Sequence, residues 1–386
     1  MGHVRMRILH YFPNTHLSEG GTVRAALDIA TTLARRGHEI IWMTCDDTDA
    51  PESWKLGEAL CPRIVKIGEP AGWAHRLSSS QIDAAAAAAK GCDVAHIHAM
   101  WIPSNPNMAS ACQMAGVPWV LSTHGMLDDW CMQQRGLKKR LYLSTAGRSM
   151  LKGTRVFLTT AEEERRQAMR WLPHDCVEAI PLIMDLEPYA TVPDAAAAKA
   201  AFGDSDLPTV LFLSRVHPKK SIETLVDAAA MLRDRGTPVK VIIAGAGEED
   251  YVNALNRRIE TAGLRDLAAC VGMVVGDLKL SLYSMADIFA LPTQQENFGL
   301  VYPEAMLCDT PVITTRGTDI WRELQNGGAT IVDRTPEAFA DGIGTLLSDP
   351  KKLMEIGRRG REHILQWLDT DTIAAQYEQL YERAAE

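Results

Sequence analysis

Long apolar runs are missing. No stretch reaches the ~18 consecutive apolar residues that a spanning helix requires, which argues against a helical membrane span. A cysteine framework is missing too. Cys45, Cys61, Cys92, Cys112, Cys131, Cys176, Cys270 and Cys308 are scattered, with no C-x-x-C pair and no histidine nearby at zinc spacing. That pattern excludes a disulfide scaffold and a structural zinc site, and it fits a reducing cytoplasm. A basic excess is also absent: 40 Lys+Arg stand against 49 Asp+Glu, a net charge of −9, which argues against a general nucleic-acid binder. No repeat recurs at solenoid periods. Residues 1–7 are short and basic and lead into a strand-like run at 8–12 instead of the apolar core of a signal peptide; Met6 is an equally good first residue.

What is present is a chain of 386 residues, 46% hydrophobic and 23% charged. Single cores rarely grow past about 250–300 residues, so two domains are expected. Charge is unevenly distributed: residues 1–182 hold 20 of the 40 basic and 18 of the 49 acidic side chains, leaving 20 against 31 for the remainder.

Strand-like runs occur at 7–12, 39–44, 63–67, 94–98, 119–124 and 156–161, and again at 209–215, 239–245, 267–272, 288–293, 311–315 and 329–333. Several, such as Val-Leu-Phe-Leu and Val-Ile-Ile-Ala, are continuously apolar, as parallel strands buried on both faces require. Helical patterns at 22–36, 221–235 and 336–347 lie between them. This alternation predicts an α/β protein of two doubly wound, Rossmann-like domains facing across a cleft, with ligands held off the carboxyl ends of the strands. Residues 186–205, with Pro188, Pro193 and an alanine-rich segment, read as linker and entry to the second domain. The expected boundaries are 1–185 and 186–366, followed by an amphipathic tail, 367–386.

Two strand-to-helix junctions carry candidate chemistry. After the run at 209–215 come Arg215 and Lys220 at the start of a helix, where two cations and free N–H groups form an anion site. After the run at 288–293 come Glu296, Asn297, Phe298, Gly299 and Leu300, then a helix bearing Glu304. Backbone N–H groups of Phe298–Leu300 suit a phosphate, and the two carboxylates suit vicinal hydroxyls of a sugar and a ribose. Either junction alone reads equally well as a solvated basic turn or an acidic helix start.

Together they resemble glycosyltransferase family four, the retaining GT-B enzymes. The resemblance rests on Ser214-Arg215…Lys220, the turn Ala244-Gly245-Ala246-Gly247-Glu248, and Glu296-Asn297-Phe298-Gly299 with Glu304 eight residues after Glu296. Gly20-Gly21, the segment from Asp93 to His98 and Ser122-Thr123-His124-Gly125-Met126-Leu127 match as well. The last resembles a subgroup of bacterial polysaccharide and lipopolysaccharide transferases with a His-Gly-Met-Leu segment. The resemblance implies that Arg215 and Lys220 bind the diphosphate of a UDP- or GDP-linked sugar. It implies that Glu296 holds sugar hydroxyls, Glu304 the ribose and Val274 the base. Gly20-Gly21 would bring backbone to the phosphate and acceptor, and His124 would lie beside the sugar. Gly245 joins this donor-binding set, and Arg215, Lys220, His124 and Glu296 form the catalytic set. The implied partners are a nucleotide sugar and a glycan or lipid-linked acceptor, with no metal and no cofactor. The resemblance also implies that the tail 367–386 returns to the first domain.

Three departures stand out. Ser221 and Asp309 occupy places where glycine is usual, and Ile180-Pro181-Leu182-Ile183-Met184-Asp185 replaces the common Ile-Pro-Asn-Gly-Val-Asp. His98, Trp101, Asp128, Lys138 and Lys139 are acceptor-side candidates, although capping is the default for Asp128. Asp47-Thr48-Asp49 is a D-x-D in a loop where acidic residues are commonplace. His96 and His98 share a strand face, where a structural role for His96 outweighs a metal pair. The basic run Arg135–Arg155, with Leu137, Leu141 and Leu151, suggests an amphipathic helix for an anionic inner membrane leaflet, against the alternative of a solvated face. The competing functions are a nucleotide-sugar epimerase of the same architecture and a non-catalytic sugar-nucleotide-binding protein.

Overall fold

The computed structural model describes residues 4–70 and 75–386. The first three residues of the basic start therefore lie outside the described residues. The chain divides into two compact units, 1–185 together with 370–386, and 186–369. No described helix is long and apolar enough to cross a membrane.

The first unit holds a parallel sheet of β1 (Arg7–Tyr11), β2 (Glu39–Thr44), β3 (Arg63–Lys66), β4 (Val94–His98), β5 (Trp119–Ser122), β6 (Thr154–Thr159) and β7 (Val177–Ala179). The order is β3-β2-β1-β4-β5-β6-β7. The second holds β8 (Thr209–Leu213), β9 (Lys240–Ala244), β10 (Ala268–Gly272), β11 (Ile288–Leu291), β12 (Val312–Thr314) and β13 (Thr330–Ile331), in the order β10-β9-β8-β11-β12-β13. Each of the twelve expected runs contains or overlaps one of these strands. Central strands β4 and β8 are buried at every position, which explains the continuous apolar run of β8; β4 is equally buried but includes His96 and His98.

The helices between them follow from amphipathic spacing. Helix Gly21–Arg35 buries Val23, Ala26, Leu27, Ala30, Leu33 and Ala34, one face at 3–4 residue spacing. Thr335 and Asp349 cap the helices Pro336–Leu347 and Pro350–Trp367 by accepting from backbone N–H groups. The last helix, Thr370–Ala385, buries Ile373, Tyr377, Leu380 and Tyr381 within the first unit. Glu378 on this helix accepts from Arg36 Nε at 2.7 Å and contacts His38 Nε2 at 3.1 Å.

Two sequence readings change. Residues 186–205 are not plain linker: they contain helix Ala196–Phe202, whose Ala198 N–H donates to Ser281 Oγ at 3.0 Å. The basic run 135–155 is not one helix. It breaks into Gly136–Ser144 and Arg148–Gly153, and Leu151 is buried in the core while Leu137 and Leu141 are exposed.

Candidate functional site

Both sheets reverse their strand order once at the centre, between β1 and β4 in the first unit and between β8 and β11 in the second. A crevice opens off the carboxyl ends of the strands at such a switch point. The candidate residues gather at these two places.

In the second unit β8 ends at Leu213, which places Arg215 and Lys220 just beyond it. β11 ends at Leu291, with Glu296 five residues further on. Lys220 Nζ makes an ion pair with Glu296 Oε2, which joins the two junctions across the switch point. Arg215 is exposed beside them, whereas Lys220 is buried. Burial, with Lys219 and Arg215 close by, pushes the Lys220 ammonium down to about 7. The Glu296 carboxylate opposes that shift. Arg215 and Lys219 beside the pair leave the cluster with more basic than acidic groups. Glu304 stands ready as an acceptor: its Oε1 takes a hydrogen bond from Lys279 Nζ at 2.9 Å and its Oε2 one from Tyr283 Oη at 3.0 Å. Burial and the Glu304 charge hold the Tyr283 phenol well above its usual range, so it remains a donor.

Gly245 is required by close approach. Its φ is +144°, and a Cβ there would meet the Ser214 carbonyl oxygen at 1.8 Å. The turn after β9 thus lies directly on the segment that carries Arg215. Gly299 has φ +64°, and a Cβ would press on Glu296 and Tyr302. Leu300 caps helix Val301–Leu307 without a side-chain hydrogen bond. The Phe298 ring is buried and stacks on Trp367 at 5.4 Å, so its side chain anchors the loop. Asn297 uses its carbonyl to accept from the Asp319 N–H at 3.2 Å. Val274 is buried between exposed Met273 and Val275.

The two departures from glycine now have a cost attached. Ser221 (φ +50°) and Asp309 (φ +57°) both take the left-handed backbone that the resemblance implies for glycine.

In the first unit the switch point lies beside a cavity of about 520 Å³, lined by Phe12, Asn14, His16, Thr22, Ala99 and Ser104 among others. Gly20, with φ +107°, turns the chain into helix Gly21–Arg35 at this place. Next to it lie four buried histidines from three neighbouring strands and the turns after them. His10 Nδ1 is 3.1 Å from His98 Nε2, and His98 Nδ1 is 3.3 Å from His124 Nε2. Burial lowers His10 to about 3 and His124 to about 4, and lowers His96 and His98 well below the usual value, so all four are neutral near pH 7. Ligand atoms of His10, His96 and His98 fall within 4.8 Å of one another. His96, however, already directs Nε2 at Ser122 Oγ (2.6 Å) and Nδ1 at Tyr381 Oη (2.7 Å). That engagement favours the structural reading of His96.

The turn holding His124 is clamped by a residue that sequence reasoning did not single out. The buried Glu164 carboxylate accepts from Thr123 Oγ1 (2.6 Å), the Gly125 N–H (2.5 Å), the Thr160 N–H (2.7 Å) and Thr160 Oγ1 (2.8 Å). Four donors satisfy it and hold His124 at φ +48°. Its only signal in the sequence is an acidic run, Glu162-Glu163-Glu164, which reads as surface.

The acceptor-side candidates separate. Trp101 donates from Nε1 to the Met126 carbonyl at 3.0 Å, and Lys139 lies 5.1 Å from its ring while donating to the Cys131 carbonyl. Asp128 caps helix Asp129–Gln133 by accepting from the Cys131 N–H. Lys138 is exposed on helix Gly136–Ser144. Asp47 pairs with Lys66, and Asp49 accepts from the Leu17 N–H, so the D-x-D carboxylates serve the loop.

Comparison with known proteins matches each unit to a family of the same activity. Residues 196–363 match the family described as glycosyl transferases group 1, and residues 20–182 match the glycosyl transferase 4-like domain. The chain belongs to the glycosyltransferases. It is 26% identical over 375 residues to a D-inositol 3-phosphate glycosyltransferase of Kineococcus radiotolerans, covering 88% of this chain and 85% of that one. It is 29% identical over 262 residues to a GDP-mannose-dependent alpha-(1-6)-phosphatidylinositol monomannoside mannosyltransferase of Mycolicibacterium smegmatis, covering 64% and 66%. In fold, this glycosyltransferase is similar to Anabaena HepE solved with UDP and glucose (TM-score 0.77, 19% identity, 97% and 99% covered). It is also similar to a sucrose-phosphate synthase of Thermosynechococcus elongatus (TM-score 0.76, 21% identity, 98% and 98% covered). The two parallel sheets are those of the GT-B fold.

Proposed function

We propose that this enzyme moves a hexose from a UDP- or GDP-linked sugar to a glycan, lipid-linked or small-molecule acceptor, with retention of anomeric configuration and without a divalent metal, in bacterial glycoconjugate synthesis in the cytoplasm. The carrying observation is the meeting of Arg215, Lys220 and Glu296 at the switch point between β8 and β11. An incoming diphosphate competes for Lys220 Nζ. Glu296 is then released to accept from sugar hydroxyls, while Glu304 accepts from the ribose. As the bond between sugar and diphosphate breaks, negative charge develops on the leaving group. Fixed cations stabilise that charge without reorganisation, so no step needs a metal ion. By the family resemblance His124 is the first unit's sugar contact, and the cavity in that unit receives the acceptor.

Relatives named for GDP-mannose and inositol phosphate and a neighbour solved with UDP support a nucleotide-sugar donor while leaving both bases in play. The deciding experiment incubates the protein with labelled UDP- and GDP-sugars, with and without EDTA. Transfer or donor hydrolysis that survives EDTA is expected. Epimerised donor without transfer, or loss in EDTA with rescue by manganese, overturns the reading.

Exposed Leu137 and Leu141 beside Lys138, Arg140 and Arg148 further suit peripheral attachment to an anionic leaflet, which would bring the enzyme to a lipid-linked acceptor. Each basic residue near such a surface contributes about 1 kcal/mol. Co-sedimentation with anionic vesicles at low salt, lost at high salt, is expected; protein remaining in the supernatant at low salt removes this element.

A further inference from the structure

We infer that His10 and His98 are positioning residues that hold His124 in a single tautomer, with its proton on Nδ1; the functional part of this inference rests on the reading of His124 as a sugar contact. A neutral imidazole has one donor and one acceptor nitrogen, so a row of three hydrogen-bonded imidazoles has only two self-consistent arrangements. In one, protons point from His124 Nε2 to His98 Nδ1 and from His98 Nε2 to His10 Nδ1. His10 must then carry its proton on Nε2. In the other, His10 Nδ1–H donates to His98 Nε2, His98 Nδ1–H donates to His124 Nε2, and His10 Nε2 is a bare lone pair.

The structure distinguishes them. His10 Nε2 is buried and has no hydrogen-bond partner among the described residues. A buried N–H without an acceptor is costlier and rarer than an acceptor with a spare lone pair. The second arrangement therefore prevails, and the proton of His124 lies on Nδ1.

The ring planes that the row needs are fixed independently. His98 stacks on His96 at 4.0 Å, and both nitrogens of His96 are engaged by Ser122 and Tyr381. Asn105 Nδ2 donates to the His98 carbonyl at 2.9 Å and steadies the end of β4. The turn of His124 is held by Glu164. His10 thus sets, through His98, which face of the His124 ring offers a donor. With its proton on Nδ1, His124 meets a bound sugar at that nitrogen as a donor to oxygen, never as a base. A hydrogen bond made by one ring nitrogen deciding the state of the other is the general rule for histidine.

The test pairs a spectroscopic and a kinetic readout on the intact chain, with ¹⁵N-labelled histidine. In the wild type, His124 Nδ1 should show a protonated-type shift and Nε2 a bare-type shift, with assignment by loss of signals in His124→Gln. His10→Leu fills similar space and removes the first donor; His124 should then average between tautomers. Turnover should fall about tenfold with the donor KM little changed, the low end of what losing an orienting partner costs. His10→Asn places an amide N–H where Nδ1–H was and should restore both. A wild-type His124 protonated on Nε2, or shifts unchanged in a folded His10→Leu protein, overturns the inference. A shifted tautomer with unchanged turnover overturns its functional half. Undiminished transfer by His124→Gln would instead defeat the reading of His124 as a sugar contact and leave the tautomer result standing.

Discussion

The two units share a fold and a placement rule yet solve the interior of their switch points in opposite ways. Off β1 and β4 the first unit packs four neutral imidazoles, all buried. Off β8 and β11 the second sets Arg215, Lys220 and Glu296, charged groups that are paired or open to solvent. Net charge is no guide to the difference. The half beyond residue 182 has 20 basic against 31 acidic residues, yet it places Arg215 and Lys220 together at one strand end. A local pair of cations at a strand end decides what a site attracts, while the overall balance governs solubility. The neutral site is preorganised through hydrogen-bond direction, and the charged one through electrostatic demand.

Removing what only one unit has is the sharpest way to break that comparison. Deleting residues 371–386 takes away buried Ile373, Tyr377, Leu380 and Tyr381, the Glu378 partner of Arg36 and His38, and the Tyr381 partner of His96. Each large apolar side chain contributes roughly 2 kcal/mol by burial alone, more than a marginally stable unit can spare. The first unit should melt while the second keeps its transition in a calorimetric trace. A single unchanged transition would show that the helix is dispensable.

Gly245→Ala attacks the second unit alone. A Cβ 1.8 Å from the Ser214 carbonyl at φ +144° forces the Arg215 segment to move. A loss of about 3 kcal/mol or more is expected, read from urea denaturation. Gly20→Ala is the matched control: nothing lies within 4 Å of its Cβ, so only the backbone strain at φ +107° should register, about 1–2 kcal/mol.

Acid should separate the units again. His10 and His124 bind protons only near 3 and 4 when folded, but near 6.5 when unfolded. The unfolded chain therefore takes up more protons as pH falls through 6.5, and stability drops from there toward 4. At pH 5 each of these two contributes about 2 kcal/mol of destabilisation. Circular dichroism at pH 7, 6 and 5 should show the first unit losing structure earlier, and the loss should shrink in His10→Leu. Equal acid sensitivity of both units would contradict the neutral-histidine description.

The smallest effect concerns Ser221 and Asp309. Glycine at either position relieves left-handed strain and loosens the unfolded chain, so each substitution should raise stability by at most about 1 kcal/mol. Lower stability in both would mean that the side chains earn their place by contacts.

Strand periodicity carried most of the fold, because buried parallel strands are long apolar runs. β7 escaped for the opposite reason: Val177–Ala179 has three residues, one of them Glu178, and only Val177 is fully buried. Helix Ala196–Phe202 was hidden by its near absence of large apolar residues, since it buries only Ala198. The charged site was legible because its parts are short local motifs at strand ends. The imidazole row and the hold of Glu164 on the His124 turn were not, because those partners lie 26 to 88 residues apart and no local spacing encodes a hydrogen-bond direction. Ser221 and Asp309 show the intermediate case, in which the expected glycine pointed to a backbone shape that the residues present adopt at a cost.

Calorimetric titration of UDP, GDP and their sugar conjugates into the wild type, Arg215→Ala and Lys220→Met tests the charged site most directly. One nucleoside diphosphate series should bind the wild type. Its affinity should fall at least tenfold in Arg215→Ala, which changes an exposed side chain, and turnover should fall more than about a hundredfold in either variant. Wild-type affinity and turnover in both folded variants would place the diphosphate elsewhere and contradict the assignment of the β8–β11 switch point as the donor site.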